Sequence, residues 1–382
     1  MLLANGNIYL DYNATTPIDP LVLEAMEPFY STHFGNPSSN HAMGRHNRDA
    51  IELAREQVAA LLGCHPAEII FTSGGTESNN TALKGVALRR SSKGQHIVVS
   101  AIEHPAIMQV VNYLQHQGFR ISYLPVNEQG VVNPEDLKEI ITSKTILVSV
   151  MHANNEIGSI QPIQELAEIS HGVDAVFHTD AAQSVSKIPV DVNELGCDLL
   201  SLAGHKMYAP KGVGVLFRKG KLDLEPLIHG ANHEGGIRAG TENLAGIVGL
   251  GMAAEIANLK REEEQLRIGN LRNRLQATLK QAFPQMRVNG SGTLRLPNTL
   301  SISFNELKAL NILENLNHVM ISAGAACHSK DGKGSGVLEA MGIPLNYQLG
   351  TLRISLGRFC EESEIHLAST ILIERIKALI EN

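Results

Sequence analysis

The sequence has little of several features that mark other classes of protein. Among its 382 residues there is no tryptophan, and aromatic residues make up only 4%. The four cysteines are scattered without a CxxC pair, which favours neither a zinc site nor a disulfide framework. Lysine and arginine number 32 against 39 aspartate and glutamate residues, a formal charge of −7. No basic surplus is therefore present for binding nucleic acid.

No stretch of the sequence predicts a membrane span or a secretion signal. The most apolar run, 244–254, ends at Glu255, whereas a span needs about 20 apolar residues. The first residues contain neither a basic segment nor a sustained apolar one. We therefore expect a cytoplasmic protein with reduced thiols. The apolar content of 43% predicts a folded chain with a sizeable core.

Apolar, β-rich runs alternate with helical patterns over the first two thirds of the chain. The expected strands are 69–72, 96–100, 121–125, 145–151, 175–179, 199–202 and 213–217. Helices are expected between most of them, including 49–62, 78–89, 105–116 and 134–141. This alternation predicts an α/β layer fold with a mainly parallel sheet. Ligands of such folds bind at the carboxyl ends of the strands.

The pattern changes after Leu244 and predicts a smaller α+β domain. One or two long helices are expected over 245–283. A strand at 299–304, a helix at 306–315, a glycine-rich loop at 323–336 and a last helix at 361–380 follow. We therefore expect a large domain of residues 15–255 and a small domain formed by residues 1–14 and 256–382.

Three segments at predicted strand ends carry residues suited to chemistry. At Ser73-Gly74-Gly75-Thr76 a strand turns into a helix, whose free N–H groups suit a phosphate. The same turn could simply be tight, with Thr76 or Ser78 as N-cap.

Asp180 and Lys206 follow two further strands. Asp180 could pair with a cationic ring nitrogen or cap a short helix. Lys206, beside Gly204 and His205, could be a surface lysine, or a Schiff-base amine if its pKa is lowered. A phosphate cradle, an acid and an amine together are what pyridoxal phosphate needs.

Ten motifs, spread over nearly the whole chain, make this interpretation specific. They are YLDYNATTP (9–17), FGNPSS (34–39), FTSGGTESNN (71–80), HANNEIG (152–158), HTDAAQS (178–184), GHKMYAPKG (204–212), GIRAGTEN (236–243), LPNTLSISF (296–304), GAACHS (324–329) and LRISLGR (352–358). In order and spacing they resemble the cysteine desulfurases, class V enzymes of fold type I that use pyridoxal phosphate. The resemblance implies a large domain with a mainly parallel seven-stranded sheet flanked by helices, and a smaller α+β C-terminal domain.

The resemblance also implies roles around the cofactor ring. Lys206 would hold the cofactor as a Schiff base and later act as general base at the substrate Cα. Asp180 would pair with the pyridinium nitrogen and keep it protonated. His104 would stack on the ring and shuttle protons, and Gln183 would hydrogen-bond the phenolic oxygen.

Further roles concern the phosphate and the substrate. Thr76, the Gly75 backbone and His205 would hold the phosphate. Thr241 would reach the phosphate of a neighbouring subunit, so the resemblance implies a homodimer. The substrate carboxylate would be bound by Asn155 and by Arg353, whose guanidinium offers a bidentate fork.

Cys327 is the residue that points to sulfur chemistry. It lies in a glycine-rich loop, which we expect to be mobile. Its thiolate would take sulfur from L-cysteine as a persulfide, leaving L-alanine. Nearby positive charge from His328, Lys330 and Lys333 would lower the thiol pKa, and Asp331 would oppose it.

Partners and metals follow from the same thiol. We expect the persulfide sulfur to pass to an acceptor, such as an iron–sulfur scaffold protein or a tRNA-thiolation relay. No metal is expected in the cofactor site, although Cys327 could ligate a transferred iron–sulfur cluster. We expect neither direct nucleic-acid binding nor a membrane partner.

Two departures from the family pattern leave alternatives open. The family usually has a phosphate-binding serine two residues before the glycine of Gly-His-Lys, whereas this chain has Ala203 immediately before Gly204. One hydrogen bond to the phosphate would therefore be missing, or be supplied by Ser201 or by water. His328 follows Cys327 where threonine is usual, a pairing also similar to selenocysteine lyases. A selenocysteine lyase acting on L-selenocysteine, or another class V lyase or aminotransferase, is therefore the alternative function.

Overall fold

The structure is a computed structural model that describes residues 1–3, 6–314, 316–324 and 334–381. Cys327 and its neighbours at 325–333 lie outside the described residues. The predictions made for Cys327, His328, Lys330, Asp331 and Lys333 therefore remain predictions.

The predicted strands and helices are present in the predicted order, together with short elements, such as Ile8–Tyr9, Pro20–Met26 and Arg287–Val288, that the sequence did not predict. The strands are β1 (Ile8–Tyr9), β2 (Ile69–Thr72), β3 (His96–Ser100), β4 (Arg120–Leu124), β5 (Thr145–Ser149), β6 (Val176–Asp180), β7 (Leu199–Ala203), β8 (Gly214–Arg218), β9 (Arg287–Val288), β10 (Thr299–Ser303), β11 (Val319–Met320), β12 (Ser322–Ala323) and β13 (Thr351–Ser355). The α-helices are α1 (Pro20–Met26), α2 (Pro28–Ser31), α3 (Ala42–Leu62), α4 (Gly75–Arg89), α5 (Pro105–His116), α6 (Pro134–Ile140), α7 (Ile163–His171), α8 (Val192–Leu195), α9 (Leu244–Ala282), α10 (Ala309–Glu314), α11 (Gly336–Ala340), α12 (Leu345–Gln348) and α13 (Glu362–Ile380). Short 3₁₀ helices cover Pro66–Glu68, Gly204–Lys206 and His233–Gly236.

A seven-stranded sheet forms the centre of the molecule. Its order is β2-β8-β7-β6-β5-β3-β4, and β8 runs antiparallel to both of its neighbours while the other pairings are parallel. Strands β3, β5, β6 and β7 are buried at every residue, as strands covered on both faces must be. The predicted α/β fold and its mainly parallel sheet are confirmed, with strand ends displaced by a residue or two.

Helix boundaries differ more from the sequence prediction than strand boundaries do. Helix α4 begins at Gly75 with Gly74 as its N-cap, so the expectation that Thr76 or Ser78 caps it is wrong. Gly74 has φ +151°, a conformation that suits glycine because it has no Cβ. The 245–283 pattern forms the single 39-residue helix α9.

A second layer of structure packs its own apolar core. The sheet β12-β13-β10-β9 is antiparallel, and β1 pairs with β11. Ile8, Leu10 and Tyr12 pack in one cluster with apolar residues from 268–376. The N-terminal residues thus join the C-terminal part of the chain. None of the helices in the described ranges has the length and apolarity that a membrane crossing requires.

Candidate active site

The carboxyl ends of β2, β6 and β7 meet at one edge of the large sheet. The turn after β2 leads into α4, Asp180 is the last residue of β6, and Lys206 lies in the 3₁₀ turn after β7. These are the strand-end positions where α/β folds bind ligands. The topology therefore brings the three predicted segments together.

The turn before α4 presents a helix N-terminus beside β7. Thr76 is exposed, and Gly75 lies against Ala203: a Cβ at Gly75 would be 3.4 Å from the Ala203 methyl group. Because the first N–H groups of a helix have no partner within it, they can bind an anion such as phosphate. Ala203 thus faces this turn with a methyl group in place of a hydroxyl.

Ser201 does not replace that hydroxyl. It is fully buried within β7, and its Oγ lies 3.0 Å from Nε2 of His178. Ser149 bonds the other ring nitrogen of His178 at 2.8 Å. The expectation that Ser201 supplies the phosphate hydrogen bond is therefore wrong, because its hydroxyl belongs to a network inside the sheet.

Asp180 is buried and held by two hydrogen bonds. Asn79, one turn into α4, donates from Nδ2 to Asp180 Oδ2 at 2.7 Å. The Ala182 N–H donates to Oδ1 at 2.9 Å, which is the local capping role that the sequence also allows. With 7% of its surface exposed, the carboxylate is fixed in orientation at the edge of the sheet.

Lys206 donates to two backbone carbonyl oxygens. Its Nζ lies 2.7 Å from the oxygens of both Asn13 and Ala14. Burial and the positive charge of Arg353 lower the pKa of Lys206 to about 8, against the opposing influence of Asp180. A substantial share of neutral, nucleophilic amine is therefore present near neutral pH.

Burial lowers the pKa values of His104 and His205, and both lie close enough to Lys206 for its charge to lower them further. His104 is the N-cap of α5, where Nδ1 accepts from the Ala106 N–H at 3.1 Å. Partial burial and the charge of Lys206 lower the pKa of His104, which Asp180 opposes. His205 Nδ1 lies 3.1 Å from Thr15 Oγ1, and burial lowers its pKa to about 4. Both imidazoles are thus available in the neutral form.

Gln183 is hydrogen-bonded to both Asn13 and Lys187. Gln183 donates to the Asn13 carbonyl at 3.0 Å and accepts from Lys187 Nζ at 2.7 Å. Burial, with the charges of Lys206 and Arg353, lowers the pKa of Lys187 well below its usual value. The Gln183 amide is therefore fixed near Lys206, because both side chains donate to the same Asn13 carbonyl oxygen.

Arg353 and Asn155, the two residues expected to bind the substrate carboxylate, lie next to each other. Arg353 Nη1 donates to the Asn155 carbonyl oxygen at 3.3 Å, and Nη2 pairs with Asp11 Oδ1 at 2.9 Å. Arg353 Nε is buried without a partner among the described residues. A guanidinium held in this way, next to the Asn155 backbone, is suited to binding a carboxylate.

Thr241 is exposed on the surface of the chain, in the segment that precedes α9. Three residues earlier, Arg238 pairs with Glu77 at 3.0 Å. This pairing places the segment against the first turn of α4. Cys327, the remaining predicted catalytic residue, lies outside the described residues.

The sequence interpretation missed several residues that organise the site. Asn13 bonds Lys206, Gln183, Asn155 and Thr299, yet three of these contacts are made with backbone atoms. Asn79 and Asp11, which orient Asp180 and Arg353, lie inside two of the ten motifs, although the resemblance implied no role for them. Their position inside these motifs was the one sequence signal that could have indicated a role in the site.

Glu103 is a further residue that the sequence did not single out. It accepts from the Met151 N–H at 2.8 Å and from the Ser100 hydroxyl, while its Oε2 is buried without a partner in the described structure. Burial raises the pKa of Glu103 to about 8. The carboxyl next to His104 is therefore largely protonated at neutral pH.

The chemistry of these groups fits pyridoxal 5′-phosphate. The open N-terminus of α4, with Thr76, would take the phosphate, and the fixed Asp180 carboxylate would face the ring nitrogen. Lys206 supplies an amine that is bonded to carbonyl oxygens and has a lowered pKa, as covalent attachment of an aldehyde requires. No cluster of His, Cys, Asp and Glu within the described ranges could hold a metal ion.

Comparisons with known proteins show the family to which this chain belongs. The family model described as "Aminotransferase class-V" matches residues 8–367. The cysteine desulfurase IscS of Dictyoglomus turgidum is 46% identical over 377 residues, covering 97% of this chain and 96% of that protein. IscS of Methanosarcina thermophila is 43% identical over 378 residues, covering 98% and 93%.

Solved structures show the same likeness in three dimensions. A NifS-like protein superposes with a TM-score of 0.91 at 36% identity, covering 97% of this chain and 99% of that one. A NifS-like protein from Rickettsia africae gives 0.87 at 33% identity, with 98% and 100% covered. Since similarity in sequence and in structure both extend over nearly the whole chain, it belongs to the aminotransferase class-V family and, within it, to the pyridoxal phosphate-dependent cysteine desulfurases.

Proposed function

We propose that this protein is a cysteine desulfurase that converts L-cysteine to L-alanine and transfers the sulfur to Cys327. The observation that carries the proposal is that Asp180 and Lys206 lie at one edge of the large sheet, where the charge of Arg353 from β13 acts on Lys206, in a chain related to cysteine desulfurases over nearly its full length. In balance, L-cysteine and the Cys327 thiol give L-alanine and a Cys327 persulfide. The substrate C–S bond breaks and an S–S bond forms.

One group of residues would bind the cofactor, and a second group would transfer protons. Lys206 would attach pyridoxal 5′-phosphate, which when bound supplies an electron sink for the substrate Cα. Asp180 and Gln183 would hold the ring, and Gly75, Thr76 and His205 the phosphate.

The proton steps depend on two bases, Lys206 and His104, whose lowered pKa values increase the share of the neutral form. The Lys206 amine would remove the Cα proton of the substrate, and its lowered pKa supports that role. His104, with a lowered pKa, would exchange protons at the ring face. Arg353 and Asn155 would hold the substrate carboxylate and so fix which Cα bond is aligned for proton removal.

Cys327 as the sulfur carrier is supported by the state of the described cysteines. Burial raises the pKa of Cys64 to about 12 and that of Cys197 still further, and Cys360 is fully buried. Because their raised pKa values keep the Cys64 and Cys197 thiols protonated, these two are poor nucleophiles.

The proposal extends to assembly and location. We propose a homodimer in which Thr241 contacts the cofactor phosphate of the partner subunit, which its exposure on the isolated chain supports. We also propose a cytoplasmic protein that delivers persulfide sulfur to an acceptor, such as an iron–sulfur scaffold protein. The division into residues 15–255 and residues 1–14 with 256–382 is supported by the separate cluster that joins residues 8–12 to 268–376.

The test compares L-cysteine with L-selenocysteine in Cys327→Ala. We expect kcat/KM for L-cysteine to fall more than about a hundredfold, since the nucleophile is lost, while L-selenocysteine is still turned over because selenide leaves without a protein thiol. Cys64→Ala is the matched control and should keep both activities. Undiminished turnover of L-cysteine by Cys327→Ala would show that the chain releases sulfide without a persulfide.

A further inference from the structure

The outer edge of β2 carries a set of charged contacts that the reaction itself does not use. Strand β2 is the edge strand of the large sheet, so its outward backbone groups have no neighbouring strand. The Ile69 carbonyl accepts from Arg55, the Phe71 N–H donates to Glu234, and the Ser73 N–H donates to Glu77, each at 2.8 Å. Side chains thus occupy the edge where another strand would pair.

Each of the two carboxylates on this edge is paired with an arginine. Arg55 and Glu234 form a two-bond pair at 2.8 and 2.9 Å, with 12% and 3% of their side chains exposed. Arg238 Nε lies 3.0 Å from Glu77 Oε1, and the Glu77 side chain is 8% exposed. Burial removes the hydration of both charges, and the attraction within a pair offsets that cost only when both charges are hydrogen-bonded, as they are here.

These contacts connect two segments. One is the phosphate turn, the turn at 73–76 where the phosphate would bind; the other is 238–241, which bears Thr241. Glu77 lies in the first turn of α4 and bonds Ser73 with one oxygen and Arg238 with the other. Burial alone raises the pKa of Glu77, but the hydrogen bonds from Ser73 and Arg238 outweigh burial and lower it. Thr241 follows Arg238 by three residues, with Gly240 at φ +106° between them. A displacement of Arg238 would therefore move Thr241.

We propose that Arg238 and Glu77 are positioning residues that hold the 238–241 segment against the phosphate turn and so present Thr241 to the cofactor of the partner subunit. This inference rests on the proposed homodimer. The same carboxylate fixes Ser73 in its own subunit's phosphate turn, so one ion pair links the two cofactor sites. Arg238 and Glu77 would not contact the reacting atoms. They would affect cofactor binding only through the contact between Thr241 and the cofactor phosphate.

The experiment measures the dissociation constant of pyridoxal 5′-phosphate by titrating the dimeric apoenzyme. Arg238→Met should raise it about tenfold, the loss expected when one hydrogen bond to a charged group is weakened. When Arg238→Met is added to Thr241→Val, the dissociation constant should rise less than about twofold above that of Thr241→Val alone. The contact through which Arg238 acts is already lost in that background. Arg267→Met, which removes another half-buried guanidinium, is the control and should leave the constant unchanged.

A second variant protects the test against a failure to fold. Glu77→Gln keeps the shape of the side chain but removes the ion pair, and it should show the same dependence on Thr241. The inference would be overturned if the dissociation constant rose equally with Thr241 and with Thr241→Val, or if it did not rise at all. Turnover of L-cysteine and the dimer mass of the unaltered protein, measured on the same preparation, test the proposed function separately.

Discussion

Lys206 illustrates how burial alters the chemistry of a single side chain. The sequence places a lysine beyond a strand, but only the folded chain surrounds its amine with the carbonyl oxygens of Asn13 and Ala14 and with the charge of Arg353. Desolvation penalises the ammonium form, and Asp180 only partly compensates. The residue can therefore react near neutral pH although an exposed lysine would be almost fully protonated.

The rate at which apoenzyme binds pyridoxal 5′-phosphate covalently should depend on pH through this amine. Because the pKa of Lys206 is lowered to about 8, the neutral amine accumulates as pH rises through 8, and the rate should increase with a midpoint there. Borohydride trapping of the product at successive times gives the rate. Lys211→Met should leave the midpoint in place, whereas a midpoint near the usual lysine value would contradict the assigned environment.

At the scale of elements, the phosphate turn depends on how closely β8 approaches it. A Cβ on Gly214 would lie 2.6 Å from the Gly74 Cα and 2.7 Å from the Leu202 carbonyl oxygen. Both of these are backbone atoms, which cannot rotate away. The antiparallel strand β8 thus fits between β2 and β7 because its first residue has no side chain, and the turn into α4 rests on it.

Gly214→Ala should destabilise the protein by about 1–3 kcal/mol, because the added methyl group forces backbone apart. It should also weaken cofactor retention, since the displaced turn carries the phosphate site. Urea unfolding and a cofactor titration measure the two effects. In α9, Gly269→Ala meets only Pro297 at 3.7 Å and should stabilise the protein by up to about 1 kcal/mol. A neutral Gly214→Ala would show that β8 is not tightly packed there.

At the scale of the whole molecule, several histidines are buried in the neutral form. Burial lowers the pKa of His178 to about 3, and it lowers those of His152 and His205 to about 4. In the unfolded chain a histidine binds a proton below about pH 6.5. Between these values the three histidines bind more protons in the unfolded state than in the folded state. They outnumber the buried carboxyls of Glu103 and Glu156, whose raised pKa values act in the opposite direction, so stability falls as pH falls.

The free energy of unfolding should therefore decrease steadily from about pH 6.5 to pH 4. His178→Gln removes one of the contributing groups while its amide can still bond Ser149 and Ser201. This variant should have a slope smaller by about 1.4 kcal/mol per pH unit in that range. Urea unfolding of the holoenzyme at several pH values provides the slopes. An exposed control, His116→Gln, should match the unaltered protein; an unchanged slope in His178→Gln would contradict the buried neutral state.

The sequence by itself determined the α/β class and the succession of strands along the chain, and it singled out Lys206, Asp180 and Arg353 as candidate site residues. Hydrophobic periodicity, turn residues and motif spacing are local properties of the chain, and they are readable without coordinates. The start of α4 was missed by a few residues, since the conformation of Gly74 depends on its contact with β8.

Only the tertiary structure decided which groups act on one another. Asn13 lies 193 residues from Lys206, and Asp11 lies 342 residues from Arg353, so no local pattern joins them. Their contacts, and the pKa changes that burial imposes, exist only after the sheet and the small domain close around the site. Burial and charge proximity depend on distances in space, which the linear order of residues does not contain.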